Sequence, residues 1–139
     1  MTSLIAILSS GQGTLTSVLK LIKFGEWTQV FLVCDDENYK NFNFNLPNIV
    51  KLKIDEKNPQ KSIDDLSSVF KSEILDLEVA INFVSGTGLE HMAIISAVMK
   101  AGLGMRMVYV KDDKICEMKI MQNFNSDSYK EIDDFLFLF

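Results

Sequence analysis

The residues best suited to chemistry lie in two short turns. Ser85-Gly86-Thr87-Gly88 interrupts an apolar run, Val79-Ala80-Ile81-Asn82-Phe83-Val84, and an apolar helical pattern follows from Leu89 to about Ala101. A strand, a small-residue turn and a helix in that order aim the helix N-terminus at whatever sits beyond the strand. The free N–H groups and positive dipole end of such a helix attract an anion. Glycine lets the backbone approach a ligand closely, and Ser and Thr add hydroxyl donors. A second turn near the N-terminus, Ser9-Ser10-Gly11-Gln12-Gly13-Thr14, follows the apolar run Leu4–Leu8 and precedes Leu15, Val18, Leu19 and Ile22 at helical spacing. Both turns can grip a phosphate or a base edge, and both are also ordinary strand-to-helix turns with a helix cap. Asn82 and Val84, at the end of the later strand, belong to the same candidate ligand-binding set.

His91 is the single histidine. With the helix starting near Thr87 it lies in the first turn, where it can act as a general acid or base or donate to a phosphate. Packing on an apolar helix is the competing role. No Ser-His-Asp or Cys-His arrangement follows from spacing, and no cluster of His, Cys and carboxylates points to a metal. The glycine patterns are neither GxGxxG nor a P-loop, so neither a dinucleotide cofactor nor a nucleoside triphosphate is expected.

The elements that position these turns can be traced along the chain. Strands are expected at Leu4–Leu8, Val30–Cys34, Ile49–Ile54, Val79–Val84, Met105–Val110 and Ile115–Met121. Helices are expected from about Gly13 to Phe24, with Gly25 as the C′ residue, from about Gln60 to Leu75, and from Leu89 onward. The Asn-rich stretch Glu37–Pro47 reads as a short helix or irregular connection, with Tyr39, Phe42 and Phe44 pinning it to the core. Asp35-Asp36 reads as a solvated turn, or as a hold on a ribose hydroxyl. The order β-α-β-(α)-β-α-β-α-β-β predicts an α/β fold: a mainly parallel sheet with helices on both faces and a C-terminal antiparallel β-hairpin at Lys111–Lys114. In such sheets the loops after strands 1 and 4 can meet at a topological switch point, where ligands bind. The helix after Gly88 carries little charge and is expected to be well covered, by the sheet on one side and a second subunit on another.

Composition bounds the function. The 139 residues suit one domain, 47% are hydrophobic and 24% charged, and the net charge is −5. That balance argues against a broad basic surface for duplex DNA or RNA. No apolar run is long enough to span a membrane and no signal peptide is evident, so no membrane association is expected. Cys34 and Cys116 form no CxxC pair and read as buried free thiols, consistent with a cytoplasmic location. Residues 1–121 are expected to form the domain. Residues 122–139, ending in the apolar run Phe135-Leu136-Phe137-Leu138-Phe139, are expected to pack on that core or on a partner.

The later turn and its surroundings resemble the CARF domain, the CRISPR-associated Rossmann fold. The resemblance rests on a strand carrying Asn82, the turn Ser85-Gly86-Thr87-Gly88, a helix bearing Met92 and small residues, closure at Gly102 and Gly104, and the strand Val108-Tyr109-Val110. The family motif runs roughly Asn-x-Thr-Gly-Gly-Thr-Lys before a Met-bearing helix. Leu8-Ser9-Ser10-Gly11 is similar in place to the family's first ligand loop. Residues 3–121 are covered. The turn departs from the motif in order, and Leu89-Glu90 stands where a basic residue is usual, so a phosphate there requires Glu90 to point outward. The resemblance implies a Rossmann-like homodimer that binds a cyclic oligoadenylate across its two-fold axis. The chain has no room for a fused effector, which implies a standalone sensor, a subunit acting through an effector partner, or a ring nuclease. In the last case a ribose 2′-OH would attack its own phosphate. Ser10, Gln12, Thr87 and His91 would donate to the phosphorane, and Lys111 or Arg106 would supply charge. The reading outside this class is an interaction subunit that binds no nucleotide and docks a partner through its tail.

Overall fold

The computed structural model describes residues 2–9, 14–43 and 45–118. Their elements run β1 (Thr2–Leu8), α1 (Thr14–Phe24), β2 (Trp27–Cys34), α2 (Asp36–Asn41), β3 (Ile49–Lys53), α3 (Pro59–Glu73), β4 (Glu78–Asn82), α4 (Gly88–Lys100), β5 (Gly104–Lys111) and β6 (Lys114–Met118). The six strands form one sheet in the order β3-β2-β1-β4-β5-β6. Every neighbouring pair is parallel except the β5–β6 hairpin. This is the expected α/β architecture.

The continuous apolar runs of β1 and β2 exist because both faces of the sheet are covered there. Ile5, Ile7, Phe31 and Val33 pack with α3 and α4, where Phe31 meets Phe70 edge to face at 5.8 Å between ring centroids. Leu4, Ala6, Leu8, Val30 and Leu32 pack on the other face with Val18 and Leu21 of α1. The alternation that makes β3 look like an edge strand is explained by its position at the end of the sheet.

Several boundaries differ from expectation. Gly25 follows α1, but its φ is not positive, so it is no left-handed cap. A glycine is needed there because a Cβ would stand 2.3 Å from the Trp27 indole. That indole instead donates from Nε1 to the Leu21 carbonyl at 2.8 Å. Helix α3 ends at Glu73 and leaves Leu75 exposed, because Ile74 turns extended while its amide still closes on Phe70 O. Strand β4 ends at Asn82, so Phe83 and Val84 belong to the turn. Within the single chain, helix α4 is covered on one face only. Ala93, Ile94, Ala97 and Val98 are buried, whereas Met92 and Met99 are 60% and 65% exposed. Cys34 is buried as expected, but Cys116 is only half-buried; both are free thiols. Phe42 packs on the core while Tyr39 is exposed beneath the Lys51 ammonium. Phe44, the strand expectation at residues 119–121 and the tail expectation at residues 122–139 lie outside the described residues. No helix among the described residues is long and apolar enough to cross a membrane.

Candidate functional site

The strand order changes direction between β1 and β4. Their helices, α1 and α4, lie on opposite faces of the sheet, and the carboxyl ends of the two strands are the switch point at which such sheets seat ligands. Both candidate turns begin there, and the structure brings them together: the Ser9 amide donates to Ser85 Oγ at 3.3 Å across 76 residues of sequence. Ser85 is buried, so its hydroxyl acts as a tie between the turns more than as an exposed donor. Ser10, Gly11, Gln12 and Gly13 lie outside the described residues, and Thr14 is the first residue of α1.

The later turn is built by its own chemistry. Asn82 is buried at the strand end, donates from Nδ2 to Val108 O at 2.8 Å, and accepts the Val84 amide on Oδ1 at 3.2 Å. It therefore pins β4 to β5 and shapes the turn. Gly86 has φ +102°, and a Cβ there would stand 3.0 Å from Ile7 Cγ2 and 3.2 Å from His91 Nε2. Glycine is required on both counts. Thr87 is the N-cap of α4. Its Oγ1 accepts the Glu90 amide at 3.2 Å, and Glu90 Oε1 accepts the Thr87 amide at 2.8 Å, a closed capping box. The Thr87 hydroxyl donates to Glu56 Oε1 at 2.6 Å. That partner, 31 residues away, leaves no local sequence signal.

This arrangement changes the expected anion site. Of the four amides that open the helix, those of Thr87 and Glu90 are taken by the capping box, which leaves Gly88 and Leu89 as the donors still available. A Cβ placed on Gly88 would meet nothing within 4 Å, so that backbone borders open space. Glu90 does not point outward as a phosphate at this turn requires. It is 1% exposed, turned back on its own helix, and its Oε2 has no hydrogen-bond partner. The physical reason is the cap: an N3 glutamate gains more from the N-cap amide than from solvent when the turn is tight. The consequence is a carboxylate beside the amides that would meet a phosphate.

His91 is held firmly. Its ring stacks on Phe83 at 4.7 Å and 28°, and Nε2 donates to the Ser85 carbonyl at 2.8 Å. Because a carbonyl only accepts, the proton sits on Nε2, and Nδ1 is the ring's remaining polar atom. Phe83 was not among the residues marked by type and spacing; it matters here because it fixes this imidazole.

The other charged candidates stand apart. Arg106, near the amino end of β5, pairs with Glu117 at 2.9 Å, and that carboxylate raises the guanidinium pKa further. Lys111 ends β5 on the crevice side and is exposed. Asp35 caps α2 by accepting the Asn38 amide at 2.9 Å, and Asp36 pairs with Lys53 at 2.7 Å, so the solvated-turn reading describes that pair. Among the described residues no group of three or more His, Cys, Asp or Glu side chains is placed to hold a metal.

No protein-family model matches the chain, and no curated protein does. Among solved structures it is similar to Can2 from Sulfobacillus thermosulfidooxidans, determined in complex with cyclic tetra-adenylate (cA4). The TM-score is 0.52 and the identity 9%, over 98% of this chain and 46% of that one. The chain therefore spans less than half the length of Can2, and at that identity the likeness is one of fold.

Proposed function

We propose that the protein is a CARF-like sensor that binds a cyclic oligoadenylate, as a homodimer, in CRISPR antiviral defence. The observation that carries this reading is the tie between the two turns. Two strand–turn–helix units that begin side by side at a switch point, joined by the Ser9 amide on Ser85 Oγ, form the kind of crevice in which α/β sheets seat nucleotides. The fold likeness to Can2, solved with cA4, supports the same ligand class and makes a four-membered ring the first to try.

Each part has a role in this reading. The Gly88 and Leu89 amides, at the positive end of α4, take a phosphate. Val84, half-exposed, gives a base a hydrophobic floor. Adenylates also carry donors, the ribose 2′-OH and the adenine amine, and the exposed Glu56 carboxylate is an acceptor for them. The outer face of α4, with Leu89, Met92 and Met99 exposed, is the surface a second copy would cover, placing two crevices on one axis. The Thr87 hydroxyl on Glu56 and the His91 Nε2–H on the Ser85 carbonyl are already engaged, which favours binding over cleavage.

The test is thermal melting with cyclic tri-, tetra- and hexa-adenylate, followed by chromatography of each mixture. A ligand at a hundred times its Kd stabilises by about 2.7 kcal/mol, an upward shift of several degrees. A shift with intact ring is the expected result. A transient shift with a linear product would make the protein a ring nuclease. No shift with any ring would leave only the fold.

A further inference from the structure

In an alternating α/β chain a helix commonly follows each parallel strand and covers the sheet. Among the described residues no helix follows β5, and the chain turns straight back as β6. The stretch of sheet that such a helix would cover is open on the α4 side. Residues directly opposite in the hairpin point to the same side, so Met107 with Met118 and Tyr109 with Cys116 share a face. Met107 packs on the core between the sheet and α4, which makes that face the α4 side. Met107, Tyr109 and Met118, with Ile81, Phe83 and Val84, line a groove of about 490 Å³, and none of its lining residues among those described is charged. Helix α4 flanks the groove, because Phe83 in its wall stacks on His91.

The outer face of α4 is also uncharged. The helix carries Glu90, which is buried, and Lys100, which pairs with Asp64 of α3. Between them Leu89, Met92, Ser96 and Met99 form an exposed stripe about 15 Å long at 1.5 Å per residue. A helix without charge on its outer face is a covered helix. Val84, Leu89, Met92, Met99 and Met118 are exposed around the groove and leave on the order of 500 Å² of apolar surface per copy, so that two copies together reach about the 1,000 Å² of a specific interface. We propose that α4 of a second copy lies in the β5–β6 groove, and that a two-fold axis makes this contact twice. Helix and groove stand side by side on one face of the chain, so the two-fold pairs each helix with the other copy's groove and closes the assembly. The hairpin floor from Lys114 to Met118 spans about 14 Å at 3.4 Å per residue, which matches the stripe. Methionines on both surfaces, Met92 and Met99 on the helix and Met107 and Met118 on the floor, let the two adapt to each other. The proposal rests on the homodimer of the reading above and adds the surface that receives α4; it does not depend on the nucleotide.

Cys116, half-buried on the hairpin, gives the test, because Cys34 is fully buried and its thiol is pushed up to about 11, out of exchange at neutral pH. Met92→Cys is made in the full chain and oxidised, and the linked peptides are identified by mass spectrometry after mixing isotope-labelled and unlabelled protein. The expected result is a disulfide between the introduced thiol and Cys116 of the other chain. It should form roughly tenfold faster than from Leu19→Cys, an exposed position on α1 across the sheet, because the interface raises the local concentration of thiol. A disulfide between the two introduced thiols would mean that α4 packs on α4, which overturns the groove as the receiving surface and leaves the homodimer standing. Links to Cys116 no faster than the control's, or formed within one chain, would overturn the proposal as well. A second readout needs no cysteine. Met118→Glu puts a charge on the exposed rim of the groove, and sedimentation velocity is expected to show dimerisation weakened by roughly tenfold or more. Unchanged dimerisation would overturn the proposal, and a wild-type monomer at every concentration would overturn it together with the homodimer. In each case the melting shift with cyclic tetra-adenylate reports on the nucleotide reading separately.

Discussion

A carboxylate at the third position of a helix complements the dipole, and Glu90 does so while closing the capping box with Thr87. The same charge opposes any phosphate that approaches Gly88 and Leu89. Glu90→Gln keeps an oxygen for the Thr87 amide and removes the charge. Dipole-range electrostatics of about 0.3–1 kcal/mol translate to a Kd for cyclic tetra-adenylate lower by roughly two- to fivefold. Calorimetry at low salt measures it, and weaker binding by the variant would mean that the carboxylate's hold on the turn matters more than its repulsion of the ligand. Neither role was legible in the residue type alone. Glu90 in sequence is an acidic residue where a basic one is usual, and only the placed backbone reveals that it folds back on Thr87. His91 is similar: its type allows catalysis, and its Nε2–H bond to the Ser85 carbonyl is what commits one nitrogen.

At the scale of the element, α4 carries more apolar surface than one chain buries. Its small residues, Ala93 and Ala97, face the sheet and α3, and Met92 and Met99 stand about two turns apart on the outer face. Exposed methionines on a rigid helix form an adaptable contact surface. Met92→Glu with Met99→Glu is expected to turn a dimer into a monomer in sedimentation velocity while leaving the melting curve of the dilute protein nearly unchanged. If the ligand spans the two-fold axis, the same variant loses affinity. A wild-type protein that sediments as a monomer at every concentration would remove this surface from the dimer argument. The helix and its low charge were readable from the sequence, but which of its apolar residues one chain leaves exposed was not, because helix packing depends on which neighbours the sheet order supplies.

For the whole molecule, Cys34 reports on the core. It sits at the carboxyl end of β2 beneath α1, and burial is the main reason its thiol is pushed up to about 11 from 9.0. A raised folded pKa means that the contribution is complete below the unfolded value of 9.0 and is lost as pH rises through 11. Two units correspond to something on the order of 2–3 kcal/mol. Urea unfolding between pH 8 and pH 11 is expected to lose this much more stability in the native protein than in Cys34→Ala. Parallel pH curves for the two would show that the thiol is not protected by the fold.

The sequence by itself determined the elements and the fold class. Unbroken apolar runs at Leu4–Leu8 and Val30–Cys34 are stable only when both sheet faces are covered, and alternation with helical spacing then leaves few topologies. It also located both turns, because small residues between a strand and a helix are a local signal. What only the tertiary structure decided is which side chains of those turns remain available. The tie of Ser9 to Ser85, the bond of Thr87 to Glu56 and the anchoring of Asn82 on Val108 join residues 76, 31 and 26 positions apart. Periodicity carries no information at such separations. These contacts follow from the order in which strands enter the sheet, and that order is fixed by global packing.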